Sequence, residues 1–139
     1  MLREQASMAD QRIRDLALIF AGGGAGAVVR VLLDFPEFGP WMPANFLACF
    51  LMGLSSAILM EGWMSPAASS WWRPLVHTGF LGGLSTFSVL SIASVLQFPG
   101  SLLLEGLRLL LLLAAFFAAA LAGYLIPVLI ARCLNRNSS

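Results

Sequence analysis

Long apolar runs with almost no charge dominate this chain, and they leave few folds open to it. Four such runs occur, at residues 16–33, about 41–60, about 71–97 and about 101–130. A hydrocarbon core roughly 30 Å thick is crossed by about 20 helical residues, so each run is long enough to span a membrane. A spanning barrel would need many alternating segments of about ten residues, a pattern foreign to this sequence. Composition points the same way: 59% of the 139 residues are hydrophobic and 11% are charged, against about 25% charged in soluble domains. The mean hydropathy is +0.86. The expected fold is an all-α integral membrane protein of four transmembrane helices, embedded in the lipid of the cell membrane. Residues 1–14 are expected to form a cytoplasmic extension, 15–133 the membrane domain and 134–139 a short tail.

The punctuation between runs supports that division. Asp15 and Asp34 bound the first run, and Pro40 and Pro43 stand where the second helix should begin. Glu61-Gly62 closes the second, and Phe98-Pro99-Gly100 separates the last two. Acidic Glu4, Asp10 and Asp15 precede the first run and no small-residue cleavage site follows a short one, so the first segment is expected to be retained. A net charge of +1 with no basic cluster argues against a nucleic-acid partner. All eight basic residues are Arg. With four spans, Arg3, Arg12, Arg14, Arg73, Arg132 and Arg136 gather on one side and at most Arg30 and Arg108 on the other, which favours cytoplasmic termini. Cys49 and Cys133 lack metal-ligand spacing and are expected to be free thiols.

Enzymatic chemistry finds no foothold. His77 is the only histidine, no carboxylates pair at helical spacing within the apolar runs, and no phosphate-binding glycine loop opens a helix. His77, near the start of the third run, is read as an interfacial or packing residue rather than a proton carrier. The segment from His77 to Ser88 carries Gly79, Gly82 and Gly83 together with Thr78, Ser85, Thr86 and Ser88. Glycine costs about 1 kcal/mol relative to alanine inside a helix, so this stretch resists regular helix. Two readings stand side by side. Freed carbonyls and hydroxyls at membrane depth can form an ion site, or Gly79 and Gly83, four apart, can let two helices approach closely. For Gly22, Gly23, Gly24 and Gly26 the packing reading is favoured. Arg30 is either a functional intramembrane charge or a snorkelling one. Asn45, an amide within an apolar run, should face a partner, a pore or an ion rather than lipid.

Taken together, Gly22 through Arg30, Asn45 followed by Phe50 and Gly53, and above all Thr78-Gly79-Phe80-Leu81-Gly82-Gly83-Leu84-Ser85-Thr86-Phe87-Ser88 resemble the small fluoride channel family, Fluc, also called CrcB. The resemblance covers all four runs and leaves out about 14 N-terminal residues. It implies an antiparallel dimer with two pores, the third helix broken near the midplane, and passive export of fluoride that relieves its toxicity. It further implies a structural sodium ion at the dimer centre, held by the carbonyls of Gly82 and Ser85. Asn45 would line the ion pathway with Thr86 and Ser88, and Phe87 would offer the positive edge of its ring to the anion. Arg30 would belong to a vestibule or to packing.

Several residues depart from the family pattern. Leu90 replaces a second pore phenylalanine, Ala93 stands where Glu is common, Pro40 and Trp41 replace a Gly-Thr pair, and Ala48 replaces a glycine. The fourth run has no Ser or Thr between positions 102 and 131, where the family places hydroxyls. With the biased arginines, these losses raise the alternative of a partner subunit, either non-conducting or half of an obligate heterodimer with a related chain. A proton-driven multidrug exporter is a weaker alternative, since no carboxylate lies between Asp15 and Asp34.

Overall fold

Backbone amides and carbonyls surrounded by hydrocarbon must pair within the chain. Accordingly, the computed structural model is helical throughout its described residues, 2–33, 42–85 and 102–136, with no strand among them. The first helix, α1, runs Leu2–Leu32. It joins the N-terminal extension to the first apolar run without interruption. At 1.5 Å per residue, its 31 residues reach about 46 Å, more than a hydrocarbon core requires. Residues 7–14 of that surplus are exposed, and Arg14 pairs with Asp15 at 3.0 Å.

Helix α2 spans Met42–Met60. Its end has a local cause: Gly62 adopts φ 69°, and the Trp63 amide donates back to the Ile58 carbonyl at 3.2 Å. A left-handed residue just past a helix with such a six-to-one bond is a glycine C-cap motif. Next, Ser65 caps α3, Pro66–Trp72, accepting from the Ala68 amide at 3.3 Å with Pro66 in the first turn. The rod continues as π-helical turns, Arg73–Phe80, and then as α4, Leu81–Leu84. Pro74, which has no amide hydrogen to give and whose ring crowds the preceding turn, sits at the start of the widened stretch, and Leu81 donates back to Val76. At Ser85 the backbone turns extended, with φ −84° and ψ 146°. The last helix, α5, spans Leu102–Arg136 and contains Pro127.

Three segments among the described residues are long and apolar enough to cross a membrane: Ser7–Leu32, Met42–Met60 and Gly106–Leu134. The third expected span corresponds to the α3–α4 rod, which ends at Leu84, earlier than the anticipated run to about residue 97; its remainder lies outside the described residues.

Glycines decide how these helices meet. A Cβ on Gly22 would collide with the Leu75 carbonyl, and one on Gly26 with that of Phe80. Reciprocally, a Cβ on Gly79 would lie 2.8 Å from the Ile19 oxygen, and one on Gly83 would lie 2.8 Å from the Gly23 Cα. Two small-xxx-small stripes therefore face each other, and α1 runs parallel to the rod. Helices α2 and α5 pair in the same way: Gly53 abuts the Ala120 carbonyl and Gly123 that of Phe50. Phe46 and Phe116 meet edge to face at 4.6 Å between centroids. Between the two pairs, Ala44 and Ala48 of α2 bury against Leu81 and Leu84, with Val29 and Leu33 of α1 closing the cluster. Outward, large apolar side chains lie bare along α1 and α5, Phe20 at 86% and Phe117 at 73% exposure. That surface suits lipid or a second chain, not water.

Candidate functional site

Two polar constellations interrupt this apolar frame, one at each end of α2. The first lies where the rod stops. Helix termination leaves the last-turn carbonyls without the amides that a further turn would supply. Here the Leu81 carbonyl takes the Ser85 amide at 3.1 Å, while among the described residues the Gly82 carbonyl receives the long Ser85 hydroxyl contact at 3.5 Å. Gly82 is exposed, and a Cβ added there would meet nothing within 4 Å, unlike its neighbour Gly83. Thr78 is exposed four residues earlier. Thr78, Gly82 and Ser85 thus mark a polar face of the rod turned away from α1.

Asn45 is buried, at 4% exposure, one turn into α2. Its neighbours Ala44 and Ala48 pack against Leu81 and Leu84, immediately before the break. Arg30 is half-buried in the last turn of α1, between Val29 and Leu33 in sequence, and those two residues pack against the same cluster. Three sequence-derived candidates, Arg30, Asn45 and Ser85, accordingly converge on one end of the molecule. Thr86, Phe87, Ser88 and Leu90 lie outside the described residues. Both readings of the third-run glycines find a place, divided by position: Gly79 and Gly83 make the close approach to α1, whereas Gly82 does not.

Hydroxyl and carbonyl oxygens dominate the polar groups near the break, and among the described residues no three of His, Cys, Asp and Glu come together. Such oxygens suit a hard cation better than a transition metal. The two cysteines are free thiols, Cys49 half-buried and Cys133 exposed.

Sequence reasoning missed the second constellation. Ser55, at 3% exposure near the other end of α2, takes a hydrogen bond from the Trp72 indole N–H at 2.8 Å and lies 3.2 Å from His77 Nδ1. The residues are 17 and 22 positions apart. The helical hairpin closed at Gly62 brings them together, and only the oddity of a serine amid apolar residues hinted at it. Beside this network Ser56, Leu59, Met60, Arg73, His77 and Thr78 line an open pocket of about 370 Å³.

The family described as CrcB-like protein, Camphor Resistance (CrcB), matches residues 17–126. A relative named fluoride-specific ion channel FluC, from Mannheimia succiniciproducens, is 37% identical over 112 residues, 81% of this chain and 83% of its own. FluC 1 of Mycolicibacterium paratuberculosis is 37% identical over 95 residues, covering 63% and 70% respectively. FluC of Photobacterium profundum is 32% identical over 120 residues, covering 78% and 91%.

Proposed function

The chain belongs to the CrcB family, and from that premise we propose that it is a subunit of a fluoride-selective channel that carries the anion passively out of the cytoplasm. The observation that carries this reading is the match to fluoride channels across 81% of the chain, over the apolar helices and the interrupted rod. The chemistry is consistent with it. Neutral hydrogen fluoride crosses lipid, dissociates in a more alkaline cytoplasm and leaves an anion that lipid retains. A selective leak suffices to release it, with no energy source.

Fluoride is small and strongly hydrated, so a pathway through hydrocarbon must replace its shell with donors. Asn45 supplies an amide donor at the end where the rod breaks. The pathway would continue past Thr86, Ser88 and the ring edge of Phe87, with Leu90 leaving one aromatic edge fewer than the family pattern. Four spans alternating in direction are supported by the parallel packing of α1 with the rod and of α2 with α5. An antiparallel dimer would bring two Thr78-Gly82-Ser85 faces together. There the Gly82 and Ser85 carbonyls would hold sodium, a role favoured by the open space beside Gly82. Bound sodium would supply fixed positive charge at the dimer centre.

Fluoride efflux from liposomes containing this chain alone, with chloride as control, tests the reading. The expected result is fluoride flux without chloride flux. Equal flux of both anions, or none even when a related subunit is added, overturns it; flux only with that subunit assigns the chain to a paired channel.

A further inference from the structure

The Ser55–Trp72–His77 network fixes more than packing. Ser55 Oγ accepts from the Trp72 indole, which can only donate. The same oxygen lies 3.2 Å from His77 Nδ1, to which it gives its own hydrogen when the imidazole carries its proton on the far nitrogen. A neutral imidazole accepting at Nδ1 must carry its proton on Nε2. In that tautomer His77, which lines a pocket with Arg73, Thr78 and Ser56, has an N–H to offer from its far edge. The polar side chains there are a guanidinium, an imidazole and two hydroxyls, with no carboxylate among the described residues that line it. Leu59 and Met60, at the end of α2, bring the partial negative charge of its final carbonyls, which the full charge of Arg73 outweighs.

We infer that this pocket is a second anion site, which takes a small inorganic anion at the hairpin end of α2, apart from the pathway end marked by Asn45. Ser56 lies 11 residues beyond Asn45 on α2, roughly 16 Å along the helix axis. The two sites are therefore distinct stations. Naming fluoride as the resident anion rests on the channel reading, but anion binding itself does not. At about 370 Å³ the pocket holds an anion with part of its water shell, so it collects the ion before dehydration. A charge-assisted contact to Arg73 holds it.

His77 is the only histidine in the chain, so ¹⁵N-histidine labelling gives a single imidazole. The full-length protein in nanodiscs at pH 8 is titrated with sodium fluoride, sodium chloride or sodium gluconate at constant ionic strength. The expected result is an Nε2–H tautomer whose Nε2 signal moves saturably with fluoride but not with gluconate. Arg73→Gln should weaken that response about tenfold, and Arg73→Lys should restore part of it. The proposal is overturned by a signal that gluconate moves equally, by no saturable movement, or by a response indifferent to Arg73→Gln. Liposome flux is read in parallel: flux without the NMR response defeats the pocket alone, and binding without flux, even with a related subunit added, defeats the channel reading alone.

Discussion

Among single residues, Asn45 and Ser55 repay comparison, because both are polar, both are buried on α2 and they serve different ends. Ser55 is held by Trp72 and His77, so Ser55→Ala removes two contacts at once. A net loss of about 1 kcal/mol per buried hydrogen bond is the usual scale. The expected outcome is a drop in stability of roughly 1–2 kcal/mol, measured as unfolding in mixed micelles. Combined with Trp72→Phe, the loss should fall short of the sum, because the two substitutions delete the same bond. Asn45 predicts the converse. If its amide replaces water around fluoride, Asn45→Leu lowers fluoride flux about tenfold or more, the scale of one lost hydrogen bond to a charged group, while size-exclusion chromatography finds the same assembly as for the unsubstituted chain. Unchanged flux removes Asn45 from the pathway.

For the helical elements, the informative contrast is between adjacent glycines. A Cβ on Gly83 meets the backbone of Gly23, with the Cα 2.8 Å away, whereas one on Gly82 meets nothing. Backbone cannot rotate aside as a side chain can, so Gly83→Ala must push α1 off the rod. Gly83→Ala is expected to destabilise the fold by about 1–3 kcal/mol, the usual cost of overpacking, and Gly82→Ala to leave thermal stability undiminished or raise it by up to about 1 kcal/mol. Should Gly82→Ala nevertheless lower fluoride flux, its effect belongs to the channel and not to helix packing. The sequence carried this division only in part. Composition marked the helices, since hydrocarbon demands them, and Glu61-Gly62 marked the end of α2. The spacing of Gly79 and Gly83 announced a close helix contact, and Gly22 and Gly26 offered its matching surface. Which glycine faces which helix depends on the rotation of the rod about its axis, and that rotation is set by the widened π-helical turns after Pro74, which no 3.6-residue periodicity contains. The Ser55 network was hidden for the same reason: it depends on how two helices face each other across a hairpin.

At the level of the whole molecule, charge placement carries a consequence for assembly. Six arginines, Arg3, Arg12, Arg14, Arg73, Arg132 and Arg136, lie with the termini and the α2–α3 hairpin in an alternating four-span chain, and two, Arg30 and Arg108, toward the other side. Arg12 and Arg14 are carried on α1 itself, which continues unbroken from the extension into the first span, so their charge acts directly at the end of that span. Positive residues close to span ends are held on the cytoplasmic side, and a bias of this size predicts one orientation. Cys133 is a built-in reporter: a free, exposed thiol near the end of α5, with Cys49 half-buried in α2. In a Cys49→Ser background, a membrane-impermeant maleimide should leave Cys133 unlabelled in intact spheroplasts and label it in inverted vesicles. Comparable labelling in both preparations overturns the fixed orientation and permits two copies of this chain to pair head to tail. Labelling from one side alone forbids that pairing, because an antiparallel dimer needs one subunit of each orientation. An oppositely inserted related subunit must then complete the assembly. It would have to provide the aromatic edge absent at Leu90 and the hydroxyls absent from α5, and in that case efflux from vesicles with this chain alone should depend on adding that subunit.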